Sequence, residues 1–141
     1  MNSKFTSIAK VRKQQMDKVE TFLAKARFQK RELEEKIALT CKEIDNTEVP
    51  SSGSISLMIS FRERLDILRK EKDRFSTELI VKKNEVNQLQ DKYKRAHIEH
   101  EKIKYLENQD FEEWLEKIKK QEQLDMDEIS NILFVNKGEM T

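Results

Sequence analysis

Glycine, proline and cysteine are nearly missing from this chain. In 141 residues there are two Gly, one Pro and one Cys. A globular domain of this length would hold about 7% Gly and about 5% Pro. Tight turns need both residues, so a fold with many turns is excluded. The lone Cys41 allows no internal disulfide and fits a reducing compartment. Long apolar runs are also missing. No stretch approaches the ~18 consecutive apolar residues of a membrane span, so no direct membrane insertion is expected. The opening Met1-Asn2-Ser3-Lys4-Phe5 has no apolar signal region, and export by a cleaved signal peptide is not expected. The net charge is only +1, which argues against a general nucleic-acid binder. Gly53 and Gly138 lie too far apart for a Gly-rich phosphate loop. No nucleotide is bound by that route, and no cofactor is expected.

What the chain has is charge. Asp, Glu, Lys and Arg make up 39% of it, against 36% hydrophobic residues. That balance favours disorder unless the apolar residues are patterned. The length allows one domain, residues 1–141. Residues 1–49 and 54–137 contain no Gly or Pro, and between them lies Val49-Pro50-Ser51-Ser52-Gly53-Ser54. Both arms are rich in the helix formers Lys, Glu, Leu, Gln and Arg. The reading is a helix over about 3–47, a connection over about 48–54 and a helix over about 55–136. Gly138 is the expected terminator of the second helix.

Spacing decides against disorder. In the first arm, positions 5 to 44 taken in alternate steps of four and three run from Phe5 and Ala9 through Leu23 to Ile44, and nine of the twelve are apolar. In the second arm the same rule runs from Met58 to Ile103, with eleven of fourteen apolar. A sustained seven-residue repeat implies a left-handed supercoil. The expected fold is all-α: two long helices forming an antiparallel left-handed coiled-coil hairpin, the second helix longer than the first. Setting Ile44 against Met58 gives position sums near 102. Leu23 then faces Leu79, and Phe5 faces roughly residue 97. Residues after about 100 lack a partner from the first arm, an overhang of up to ~50 Å if helical. Beyond Ile103 the apolar phase slips, through Leu106, Phe111, Trp114, Leu115 and Ile118.

Such a hairpin has neither the compact core nor the concave pocket of an enzyme. His97, His100 and Glu101 could approach one metal, but their order is not the zincin order and no further ligand cluster is near. No metal site is assigned, and His100 reads as a seam residue. Cys41 has no His or Gly-rich turn beside it and reads as a small helix-surface residue. Lys30, Lys72 and Lys82 interrupt the seams, where their stems can lie across the seam with the ammonium in water. Trp114 beside Phe111 and Leu115 has two readings: a tail bent back onto the hairpin, or a docking surface. Charge is segregated. Residues 1–31 sum to +7, 71–97 to +2 and 107–128 to −6. A solvated face needs less asymmetry than that.

The opening pattern Phe5, Ile8, Val11, Arg12, Gln15, Asp17 resembles the start of the flagellar export protein family FliJ. The tail resembles it more specifically, with Glu107, Glu113-Trp114, then Glu122-Gln123, Asp125 and Asp127-Glu128-Ile129. Ser130 stands where the family often has Ala. Phe61, Leu65 and Leu68 of the second arm fit as well, and the resemblance covers nearly the whole chain. It implies a non-enzymatic component of the flagellar type III export apparatus, similar in build to the coiled-coil stalk of the rotary ATPase γ subunit. Implied partners are the export ATPase ring, the membrane-embedded export gate protein and empty export chaperones, with self-association left open. The implied location is cytoplasmic, peripheral to the inner membrane. By segment, Phe5, Ile8, Arg12, Phe111, Trp114, Leu115 and Asp127 are the ATPase-contact candidates. Phe61, Leu65, Leu68 and Phe75 are the gate-contact candidates. The rival readings are a structural coiled coil, a prefoldin-like holdase and the equivalent stalk of a virulence secretion system.

Overall fold

The computed structural model describes residues 3–139. Two helices follow one another, α1 at Thr6–Asn46 and α2 at Ile55–Glu139, with no strand among the described residues. The architecture is the all-α helical hairpin, with α2 about twice as long as α1. The ends of the helices follow from local chemistry. Ser3 Oγ accepts from the Phe5 amide at 3.1 Å, and the Ser3 carbonyl accepts from the Thr6 amide at 3.1 Å. This small turn occupies Ser3–Phe5, so α1 starts at Thr6. At its other end the Thr47 hydroxyl donates to the Glu43 carbonyl at 2.6 Å, and Pro50 cannot extend a helix. Gly53 adopts a φ of 143°, which an L side chain rarely tolerates. The Ser54 carbonyl then receives the Leu57 amide at 3.1 Å and opens α2.

Gly138 does not end α2. The helix runs through it to Glu139, and Gly53 is the only glycine with positive φ among the described residues. A glycine terminates a helix by entering the left-handed region, and this one stays helical.

The chain divides into two compact units, one of them Met16–Ala96. The other joins the chain up to Gln15 with the chain from His97 onward. In Met16–Ala96, Leu23, Ala26 and Val86 form a buried cluster against which Leu89 and Tyr93 pack. Met16, Leu33 and Leu68 are also buried. Burying each such Leu or Val is worth ~1.5–3 kcal/mol. Thr40 is a buried polar seam residue, and its hydroxyl donates to the Lys36 carbonyl at 2.8 Å. That bond offsets the cost of taking a hydroxyl out of water. Lys82 lays its stem on the seam and donates to Gln29 Oε1 at 2.8 Å, with Glu85 Oε2 at 2.7 Å.

The register differs from the expected one. Lys82 meets Gln29, Lys36 lies over the Phe75 ring, and Leu23 clusters with Val86, Leu89 and Tyr93. The position numbers of the first two pairs each add to 111, not 102. Leu23 therefore lies near Leu89 and not across from Leu79. Met58, placed on the seam by its spacing, is exposed. The reason is in the heptads. Setting Ile44 against Met58 opposes the three-residue steps of one arm to the four-residue steps of the other. Setting Ile44 level with Leu68 matches every step. The connection makes room for this by running back along the first turns of α2. Glu43, Asn46, Thr47 and Pro50 share a groove with Leu57, Phe61 and Arg64.

In the other unit, Ala9 and His100 are the buried seam residues. Ser3 Oγ donates to Asp110 Oδ2 at 2.6 Å, a pair whose position numbers add to 113, again well above 102. The uncovered part of α2 thus begins after about residue 110, later than the expected residue 100. From Lys119 to Gly138 every residue is exposed. The tail does not bend back, because α2 continues unbroken to Glu139.

Candidate docking surfaces

Within Met16–Ala96 the register leaves one side of the first turns of α2 without cover from α1. Ile55 is 80% exposed, and Leu57, Met58 and Ile59 are each about half exposed. Ile55, Met58, Ile59, Phe61, Leu65 and Arg69 line an open groove of about 690 Å³ together with Arg62 and Asp66. Phe61 also lines the groove of about 520 Å³ beside the connection. A helix buries one stripe and leaves the opposite side wet. Here the side away from α1 is apolar as well, which is unusual for a solvated surface. Of the four residues tied by resemblance to the gate, Phe61 and Leu65 are half-buried and line this groove. Leu68 is buried in the seam and presents nothing outward. Phe75 is half-buried, with Lys36 Nζ at 5.7 Å and the Arg74 guanidinium at 5.1 Å from its ring centroid. Both cations sit where the ring face attracts positive charge.

Seam spacing does not mark Ile55, Met58 and Ile59 as groove residues. A signal was present: four of the five residues 55–59 are apolar, more than one seam can use.

The other unit gathers a different set. Phe111 is exposed and Trp114 half-buried, with ring centroids 5.9 Å apart and planes at 29°. Phe111 also lines a shallow cavity of about 100 Å³ with Ser3, Thr6, Glu107 and Asn108. Leu115 lies one turn beyond Phe111 and is exposed. Phe5 is half-buried with Lys4 Nζ at 5.2 Å from its ring. Ile8 is exposed on α1, and Arg12 is half-buried with its guanidinium donating to Gln15 Oε1 at 3.3 Å. Asp127 is exposed on α2, more than three turns past Trp114. The structure therefore joins Phe111, Trp114 and Leu115 into one patch beside Ser3 and Thr6, and leaves Asp127 apart from it.

His100 is buried, with Nδ1 3.8 Å from Glu101 Oε1 and without a hydrogen-bond partner. Among the described residues no three His, Cys, Asp or Glu side chains gather as a metal site would require. Nor, among them, is any helix long and apolar enough to cross a membrane. The surfaces are suited to side-chain docking: open, apolar and rimmed by charge.

Comparison with known proteins gives one finding. A family model described as the flagellar FliJ protein matches residues 1–139. No curated protein and no solved structure matches the chain.

Proposed function

The chain belongs to the FliJ family of flagellar proteins and is a component of the flagellar export apparatus; from that premise we propose that it is a non-enzymatic, stalk-like coiled coil linking the export ATPase ring to the export gate and escorting empty export chaperones. Both units belong to one hairpin domain in this reading, since α1 and α2 each continue from one unit into the other. The ATPase contact is made by the unit that holds the termini, through Phe111, Trp114 and Leu115, with Phe5, Ile8 and Arg12 on α1 and Asp127 further along α2. The gate contact is made by the groove of Phe61 and Leu65, with Phe75 nearby and Leu68 supporting it from the seam. The protein works in the cytoplasm and reaches the inner membrane through the apparatus.

The observation that carries this reading is the pair of open apolar surfaces, one in each unit. A single docking function needs only one. Co-purification with the export ATPase and with the cytoplasmic part of the gate protein tests it. Phe111→Ala/Trp114→Ala should lose the ATPase and keep the gate protein, and Phe61→Ala/Leu65→Ala the reverse. Loss of both partners in either variant would contradict two separate contacts. The exposed Val49, Ile55, Leu57 and Ile59 also suit a holdase that grips unfolded chains. That reading requires capture of many denatured proteins and no preference for the two named partners.

A further inference from the structure

The uncovered part of α2 carries a second seam. Positions 111, 115, 118, 122, 125, 129, 132 and 136 alternate steps of four and three, which is coiled-coil spacing. This seam lies one residue on from the hairpin's own line through 103, 107, 110 and 114, about 100° around the helix. It is therefore not an extension of the face that α1 covers. Of the eleven apolar residues in 111–136, nine fall on the seam or immediately beside it. Ile129, Ile132, Leu133 and Val135 are all more than half exposed. α1 cannot reach them, since Ser3 is already engaged at Asp110. Among the described residues nothing covers them.

We propose that this face pairs with the same face of a second copy, with the two helices antiparallel. In that arrangement Leu115 meets Ile132 and Ile118 meets Ile129, twice each by symmetry. Glu122 meets Asp125 in the two central layers, and Phe111 meets Asn136 at the ends. Trp114 falls beside Val135 and Gln121 beside Glu128 at the flanks. Between the Phe111–Asn136 ends, apolar layers thus meet apolar layers, and the polar layers coincide. A twofold, self-complementary contact of this kind is the commonest way for identical chains to associate. Orientation follows from charge. Residues 4–13 carry four Lys or Arg and no acidic residue. Parallel pairing would set these basic segments side by side, whereas antiparallel pairing sends them to opposite ends of the contact.

The central layers make the contact weak and adjustable. They bring four carboxylates together, two from each copy. Gln121 donates to Asp125 Oδ1 at 3.1 Å, and Lys119 lies one turn before Glu122 on the same helix. Neither cancels the repulsion across the pair. The dimer therefore strengthens when salt screens these charges. A basic partner helix on the same face would weaken in salt. The paired residues include the ATPase-contact candidates Phe111, Trp114 and Leu115, so pairing competes with that contact. This last consequence rests on the function proposed above; the dimer itself does not.

Sedimentation equilibrium of the full chain over a range of concentration and salt is the test. The expected result is a monomer–dimer equilibrium that tightens as salt rises. Glu122→Gln/Asp125→Asn should tighten it about tenfold by removing two like-charge layers. Ile118→Asp/Ile129→Asp should leave a monomer with unchanged helix content and melting temperature. In a Cys41→Ser background, Leu115→Cys of one copy should form a disulfide with Ile132→Cys of another, which only the antiparallel register allows. The proposal is overturned by a monomer in both the native chain and Glu122→Gln/Asp125→Asn, by a dimer that Ile118→Asp/Ile129→Asp leaves intact, or by a dimer that salt dissolves.

Discussion

Leu23 and Ile129 are both aliphatic residues on a helical seam, yet the first is 5% exposed and the second 53%. The segments around them share seam spacing and helical state, though the first is basic and the second acidic. They differ in whether a second helix lies alongside. Around Leu23, α2 supplies Val86, Leu89 and Tyr93. Around Ile129 no described residue supplies cover, because the N-terminal end of α1 reaches only to the level of Asp110. Periodicity therefore marks which face of a helix wants cover, and the length of the partner decides which part of that face receives it. The covered stretch contributes stability. The uncovered stretch is available for recognition.

Removing the uncovered stretch should have the largest effect, and on function alone. A chain ending at Asp110 should melt close to the full-length protein yet fail to support motility, with filament subunits retained inside the cell. Normal swimming by such a strain would show that the uncovered helix is dispensable.

Single substitutions sharpen the same contrast. Large-to-small changes in a core cost ~2–5 kcal/mol, with a thin two-helix seam toward the lower end. Leu23→Ala and Leu79→Ala should therefore lower the melting temperature clearly. Ile129→Ala and Glu78→Ala should stay within ~0.5 kcal/mol of the native chain, as surface changes do. Comparable losses at Leu23 and Ile129 would mean that the second seam is covered in the monomer.

Hydrogen exchange reads the difference without mutation. Amides of 111–138 should exchange faster than those of 66–96, because local opening there exposes no buried apolar surface. Addition of the export ATPase should slow the former and leave the latter unchanged. Equal protection of both stretches in the dilute monomer would contradict the contrast.

The smallest effect belongs to the polar seam. Lys82→Ala removes the bond to Gln29 and the ion pair with Glu85. A loss of about 1 kcal/mol is expected, because the ammonium is largely sheltered. Lys119→Ala on the uncovered stretch should cost nothing measurable. A double-mutant cycle between Gln29 and Lys82 measures this pair directly, and zero coupling would count against the register.

Much of the fold was legible in the residues themselves. Every seam position assigned to α1, from Phe5 to Ile44, is buried or half-buried, and on α2 only Met58 fails. The seam residues Thr40 and His100 are buried as their spacing requires. The two candidate docking surfaces were legible in part. Phe111, Trp114 and Leu115 stood out because they lie past the end of the shorter arm. Ile55, Met58 and Ile59 did not, because a mistaken register used Met58 as a seam residue and hid the groove around it.

The sequence by itself determined two helices, the break between them and the face that each presents, because those depend on residues within a few turns of one another. Its repeat also restricted the pairing to registers seven residues apart, since threes must oppose threes and fours oppose fours. Which of those registers forms was decided by the tertiary structure. The segment from Thr47 to Ser54 carries no periodicity, and its path along the first turns of α2 fixes the level at which α1 ends. In the other unit Ser3 meets Asp110, which marks where cover stops and the exposed second seam begins.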